Sequence, residues 1–227
     1  MNELLQISIF PVILTLGAFQ LGLLLQKKLR SPIANPILVA VVIILCFMGL
    51  TGYENADYQV GAKYISWLMT PATICLAIPM YEHFQTLRKN IPAVLAGIAT
   101  GAVSCIVMVW IFGMVFHFDR ELLVSVLPKS VTTAIGVPLS QMAGGMTGIT
   151  TAMIILTGIV ANVLGVFCCK LFRLTNPIAR GVAFGTAGHV IGTAKAGELD
   201  PLTGATSSLS LVVAGLLTAV IFPLLIS

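Results

Sequence analysis

Charge is what this sequence has least of. Asp, Glu, Lys and Arg make up 9% of its 227 residues, against about 25% in a soluble domain. With 58% hydrophobic residues and a mean hydropathy of +1.04, a soluble globular class is excluded. The chain reads as an all-α polytopic membrane protein in a lipid bilayer. The net charge of +4 gives no nucleic-acid footprint, because its cations sit mostly at helix ends, where cytoplasmic loops collect them. Cys46, Cys75, Cys105, Cys168 and Cys169 include no CxxC pair and no His at metal-ligand spacing, so they read as small buried hydrophobes, with no metal and no cofactor. HExxH and GxSxG are missing too, which argues against an intramembrane enzyme.

Acids are missing from one place in particular. Glu3, Glu54, Asp57, Glu82, Asp119, Glu121, Glu198 and Asp200 all fall at a terminus, in a loop, or at the edge of a polar segment. None lies mid-membrane, where a cation carrier or an acid-based proton relay needs a carboxylate.

What is present is a series of apolar runs. Six read as full crossings: 4–25, 33–50, 65–81, 91–116, 149–171 and 207–226. The first is followed by Lys27, Lys28 and Arg30 and has no basic n-region, so it reads as a membrane helix rather than a leader. Two further segments, 121–147 and 177–206, are too rich in Gly, Ser and Thr for plain lipid-facing helices. Basic residues alternate cleanly between loops if each of these enters and leaves on one side. Both termini then lie outside the cytoplasm. If either segment crosses alone, the alternation breaks or the C-terminus flips. In the hairpin arrangement the fourth and fifth crossings, each followed by a re-entrant segment, form an inverted repeat with little residue identity. Inverted-repeat transporters place their sites between such broken helices. The chain therefore divides into N-terminal scaffold helices, 1–91, and a transport-like unit, 92–227.

Candidate breaks are Pro71 and Pro79 in the third crossing, Pro128, and Gly185, Gly188 and Gly192. Proline removes a helical donor, and glycine permits a break or a close approach. A simple kink is the other reading of the proline pair.

Ten of twelve cations lie in loops or at helix ends; Lys129 and Lys195 do not. A buried ammonium is costly unless paired, and with no buried acid available an anionic ligand is a natural partner. Ser130, Thr132, Thr133, Thr186 and Thr193 supply hydroxyls, and half-helix N-termini would complete a carboxylate site. Alternatively, Lys129 snorkels to the headgroups, Lys195 pairs with Glu198 three residues on, and the small residues form a helix-packing surface. His189 is suited either to carrying a coupling proton or to a hydrogen-bonded place in the core.

Three stretches, PATICLAIPMY (71–81), LPKSVTTAIG (127–136) and ARGVAFGTAGHVIGTAKAGEL (179–199), resemble the LrgB/CidB family in order and spacing. The resemblance implies a multi-pass protein of the bacterial inner membrane, antiholin-like, acting beside a small LrgA/CidA-like partner in murein hydrolase export and autolysis. It also implies transport, since some members take up pyruvate and a plastid relative moves glycolate and glycerate. Ala134 and Gly188 stand where the family often has proline and serine, so substrate choice does not carry over directly. The expectation is a carrier of small monocarboxylates of the glycolate, pyruvate or lactate class, with Lys129, Ser130, Thr132, Thr133, Thr186, His189, Thr193 and Lys195 at its site. The alternative is an antiholin-like regulator that binds the small partner. A homodimer is a further expectation, and no nucleic acid is implied.

Overall fold

A computed structural model describes residues 9–29 and 35–226. The first residues of the two leading crossings, with Glu3 and Arg30, lie outside the described residues. All regular structure among the described residues is helical. The chain forms two compact units, Met1–Cys75 and Leu76–Ser227, so the division falls ahead of the 91/92 boundary read from the sequence.

The first unit holds α1 (Phe10–Leu29), α2 (Pro36–Thr51), α3 (Asn55–Trp67) and α4 (Met69–Cys75). Asn35 starts α2 by accepting from the Ile37 N–H at 2.9 Å, with Pro36 in the first turn, where no donor is needed. Gly52 ends it in the left-handed region at φ 68°. The Tyr58 and Thr15 hydroxyls, 2.7 Å apart, tie α3 to α1.

The second unit holds α5 (Ala77–Glu82), α6 (Phe84–Val115), α7 (Arg120–Val126), α8 (Thr133–Met142), α9 (Thr147–Leu171), α10 (Pro177–Leu199) and α11 (Pro201–Ile226). The expected third crossing, 65–81, is a run of short helices beginning ten residues earlier, at Asn55. Joints fall at Leu68 and Leu76, each three residues before a proline. Pro71 and Pro79 thereby sit in first turns, where a missing N–H costs little. Among the described residues, five stretches are long and apolar enough to span a bilayer: Phe10–Leu29, Asn55–Glu82, Phe84–Val115, Thr147–Leu171 and Pro201–Ile226. Pro36–Thr51 is a shorter apolar helix. The protein is an all-α, multi-pass membrane protein. Of its cysteines only Cys169 is buried by protein; Cys46, Cys75 and Cys168 are exposed, which corrects the reading of all five as core.

The sixth crossing begins at Pro201 rather than 207. Its hydroxyls do not break the helix, because they bond back to their own backbone: Thr206 to Leu202 O at 2.8 Å, Ser208 to Gly204 O at 3.0 Å and Ser210 to Thr206 O at 2.7 Å. The polar segment 177–206 therefore ends at Leu199.

Both polar segments are helical hairpins. Straight, the 23 residues of α10 would separate its ends by roughly 35 Å. Instead the Thr203 hydroxyl, three residues past Asp200, reaches the carbonyl of Pro177 at 3.3 Å. The fold-back occurs at His189, whose φ of 41° and ψ of −135° are non-helical. The incoming arm, 177–188, rises parallel to α11, with Gly185 against the Ser207 carbonyl, Ser210 and Leu211. The outgoing arm, 190–199, returns beside it; a methyl at Gly192 would meet Phe184 O at 2.7 Å. In a straight helix those two residues would be about 12 Å apart.

The other hairpin is α7, a non-helical tip 127–132, and α8. Its base closes where Ser125 Oγ accepts from the Met146 N–H at 2.7 Å, and the Thr150 hydroxyl donates to Ser140 Oγ at 2.7 Å. Arg120 at this base donates to the carbonyl of Ile226 at 3.1 Å. The last turn of α11 thus lies at the base of the first hairpin, and its first turn at the base of the second. The hairpins enter from opposite ends.

The repeat is close in measure. Arg120–Met142 and Pro177–Leu199 both span 23 residues. The long helix before each ends in the same way. His117 and Arg173, both at φ 53°, follow the caps, and the next N–H reaches back to Gly113 O and to Cys169 O at 2.8 Å each.

Candidate functional site

Both tips meet halfway along the long helices, and Ile154 of α9 touches each. A methyl at Gly136, just past the first tip, would meet Ile154 Cδ1 at 2.8 Å. At the second tip His189 Nε2 lies 2.8 Å from the Ile154 carbonyl, as its hydrogen-bond donor. His189 is buried, and its ring packs over Gly158. Lys129 is near enough for its charge to be felt at that ring.

Between the tips and the long helices lies a small, partly open cavity of about 10 Å³. Ala102, Cys105 and Ile106 of α6 line one wall, Leu127, Ser130 and Val131 of the first tip another. Thr186 of α10 and Ala214 and Thr218 of α11 complete it. Its clear interior accommodates a body about the size of water. Apolar clusters close it at both ends. One holds Ile106, Val109, Val124, Val126, Leu127 and Phe222; the other Val94, Ile98, Ala102 and Ala214.

The electrostatics come from backbone and one side chain. At the first tip the incoming arm's carbonyls are partly satisfied in place: Lys129 N–H to Val126 O at 3.0 Å and Val131 N–H to Pro128 O at 3.3 Å. Thr132 is extended and opens α8, and no acceptor among the described residues takes the N–H of Thr133 or Ala134. The outgoing arm of α10 likewise starts at the second tip. Two helix N-termini, each carrying a partial positive charge, thus converge. Lys129 Nζ adds a full charge; it is half-buried, 3.4 Å from Ser130 Oγ. Among the described residues no carboxylate lies within ion-pair distance of it.

The residues singled out in the sequence divide in two. Lys129, Ser130, Thr132, Thr133, Thr186 and His189 gather at or beside the tips, with Ser130 and Thr186 on the cavity wall. Thr193 lies further down the returning arm, its hydroxyl spent between His189 O at 2.7 Å and Ser207 Oγ at 2.9 Å. Lys195 is near the base and pairs with Glu198 at 2.7 Å. That base is polar. Burial works to raise the Asp200 carboxyl, but Thr203 and Leu202 donors and the Arg180 charge outweigh it and hold it below the usual carboxylate range. The break falls at Pro128 in one tip and at His189, beside Gly188, in the other. Gly185 and Gly192 lie within the arms, as close-contact positions. Ala102, Ile106, Ala214 and Thr218, and Cys105 as a wall residue, carry no signal in the sequence, since small and apolar residues are ordinary in membrane helices.

Two opposed hairpins with Lys129 at one tip and His189 at the other give places to two of the three stretches quoted above. Residues 15–227 match the LrgB-like family. The chain belongs to this family. No solved structure matches it.

Proposed function

We propose that this LrgB-family protein is a carrier of small monocarboxylates, of the glycolate, pyruvate or lactate class, and not an enzyme. One observation carries the reading: two helix N-termini and Lys129 converge mid-bundle with no acid beside them. A buried positive field of this kind disfavours cations and is relieved by an anion. A single cation matches one carboxylate, and the small apolar cavity suits a short tail. Substrate enters when the tips part, and the carrier alternates as one hairpin or the other loosens at its end. His189, at the second tip, is the residue placed to carry a coupling proton. Basic residues at the α6 start and the base of the second hairpin support a cytoplasmic side at that end, in a bacterial inner membrane. A small LrgA/CidA-like partner and a homodimer belong to the same proposal.

The test is binding. Purified protein in detergent is heated with glycolate, pyruvate or lactate, alongside Lys129→Ala. A ligand at a hundred times its Kd stabilises by about 2.7 kcal/mol, so saturable stabilisation of the wild type, absent in Lys129→Ala, is expected. If none of the three anions shifts the wild type, the carrier reading fails. The antiholin-like, partner-binding role implied by the family then takes its place.

A further inference from the structure

The cavity is two-faced. Its hairpin side carries Ser130, 3.4 Å from Lys129 Nζ, and Thr186, whose hydroxyl donates to Val182 O. Its α6 side offers Ala102, Cys105 and Ile106, with no charge. An acid between them has one orientation that leaves nothing unpaired, with carboxylate toward the tips and tail toward α6. The two sides also differ in stiffness. The tips are short turns able to part, whereas α6 is an unbroken helix of 32 residues whose single internal proline, Pro92, lies well before this level. The tail therefore meets a fixed wall.

On that wall Ile106 is the large residue. It is 4% exposed and lies where the cavity gives way to the cluster of Val109, Val124 and Phe222. Ala102, one turn away on the same wall, is the smaller side chain. We infer that Ile106 limits the length of acid the site accepts once the tips part. This rests on the carrier reading above. Val109 provides the control, since it is equally buried in the same cluster and does not line the cavity.

The experiment is uptake into proteoliposomes of glycolate, lactate, 2-hydroxybutyrate and 2-hydroxyvalerate, by wild type, Ile106→Ala and Val109→Ala. Each protein is first shown to be folded by thermal unfolding, and Ile106→Val replaces the alanine variant if that does not fold. One methylene in an apolar pocket is worth about tenfold or more. Wild type should carry glycolate and lactate and drop by about that factor at 2-hydroxybutyrate. Ile106→Ala should raise the 2-hydroxybutyrate to lactate ratio about tenfold, Ile106→Val should raise it less, and Val109→Ala should leave it unchanged. An unchanged ratio in a folded Ile106 variant that still carries lactate overturns the inference, as does an equal shift in Val109→Ala. Wild type carrying none of the four overturns the carrier reading itself, a separate outcome.

Discussion

At the scale of single residues, His189 is the least comfortable position in the second unit. A side chain at φ 41° and ψ −135° costs about 1–3 kcal/mol, and the fold retains it. The compensation is visible in the ring, which donates to the Ile154 carbonyl and fills the space over Gly158. Two effects therefore oppose each other on substitution. His189→Ala keeps the strain and loses a bond worth about 0.5–1.5 kcal/mol, since the Ile154 carbonyl keeps its own helical partner. His189→Gly loses the same bond but relieves the backbone. Thermal unfolding should rank wild type above His189→Gly, and His189→Gly above His189→Ala. The reverse order of the two variants would mean that the tip is not strained. The sequence showed this residue as a histidine in apolar surroundings and could not show that it makes the turn. Lys129 was legible because a cation in an apolar run with no acid needs a reason. Lys195 gave the same signal, and the structure shows its alternative reading, the pair with Glu198 three residues on; the fold-back of α10 puts that pair near the hairpin base.

At the scale of elements, the second hairpin is held to α11 by close contact between small residues, as expected where lipid removes the hydrophobic drive between helices. Gly197 and Gly204 face one another there but differ in their surroundings. A methyl at Gly204 would meet Gly197 Cα at 2.9 Å, a backbone atom that cannot step aside, whereas nothing lies within 4 Å of one at Gly197. Gly197→Ala should be neutral or stabilising by up to about 1 kcal/mol, the helix preference for alanine. Gly204→Ala should destabilise, and its unfolding midpoint should fall below the wild type's. Equal midpoints would show that α10 and α11 do not approach this closely. The hairpins were legible from their composition and the alternation of basic loops. Their limits were not, because Thr203–Ser210 looks like a continuation of the polar segment until the Thr206, Ser208 and Ser210 hydroxyls are seen to bond within their own helix. The third crossing hid its start for the opposite reason. Asn55–Trp67 carries Asp57 and Lys63 and has too little hydropathy to announce a membrane helix.

At the scale of the whole molecule, the second unit repeats its form with different residues at matching points. Counting from Arg120 and Pro177, Lys129 and Thr186 occupy the same place in their hairpins, as do Thr132 and His189. The two halves place different side chains at matching points, so one cavity acquires a charged side and a neutral one. Apolar clusters seal it toward each end, which is what a site exposed alternately to two faces of a membrane requires. Ser130 and Thr186 were legible, but the rest of the wall could not be assembled from the sequence, because α6 and α11 contribute only apolar residues and Thr218. Transport is the central claim, and its most direct measurement is uptake of labelled glycolate, pyruvate and lactate into proteoliposomes. Wild type would be compared with Lys129→Ala and Lys195→Ala, each shown to be folded. The account predicts saturable uptake by wild type, abolished by Lys129→Ala and retained by Lys195→Ala, whose charge is spent on Glu198. Uptake that survives loss of Lys129, or no uptake of any of the three acids by wild type, would contradict it.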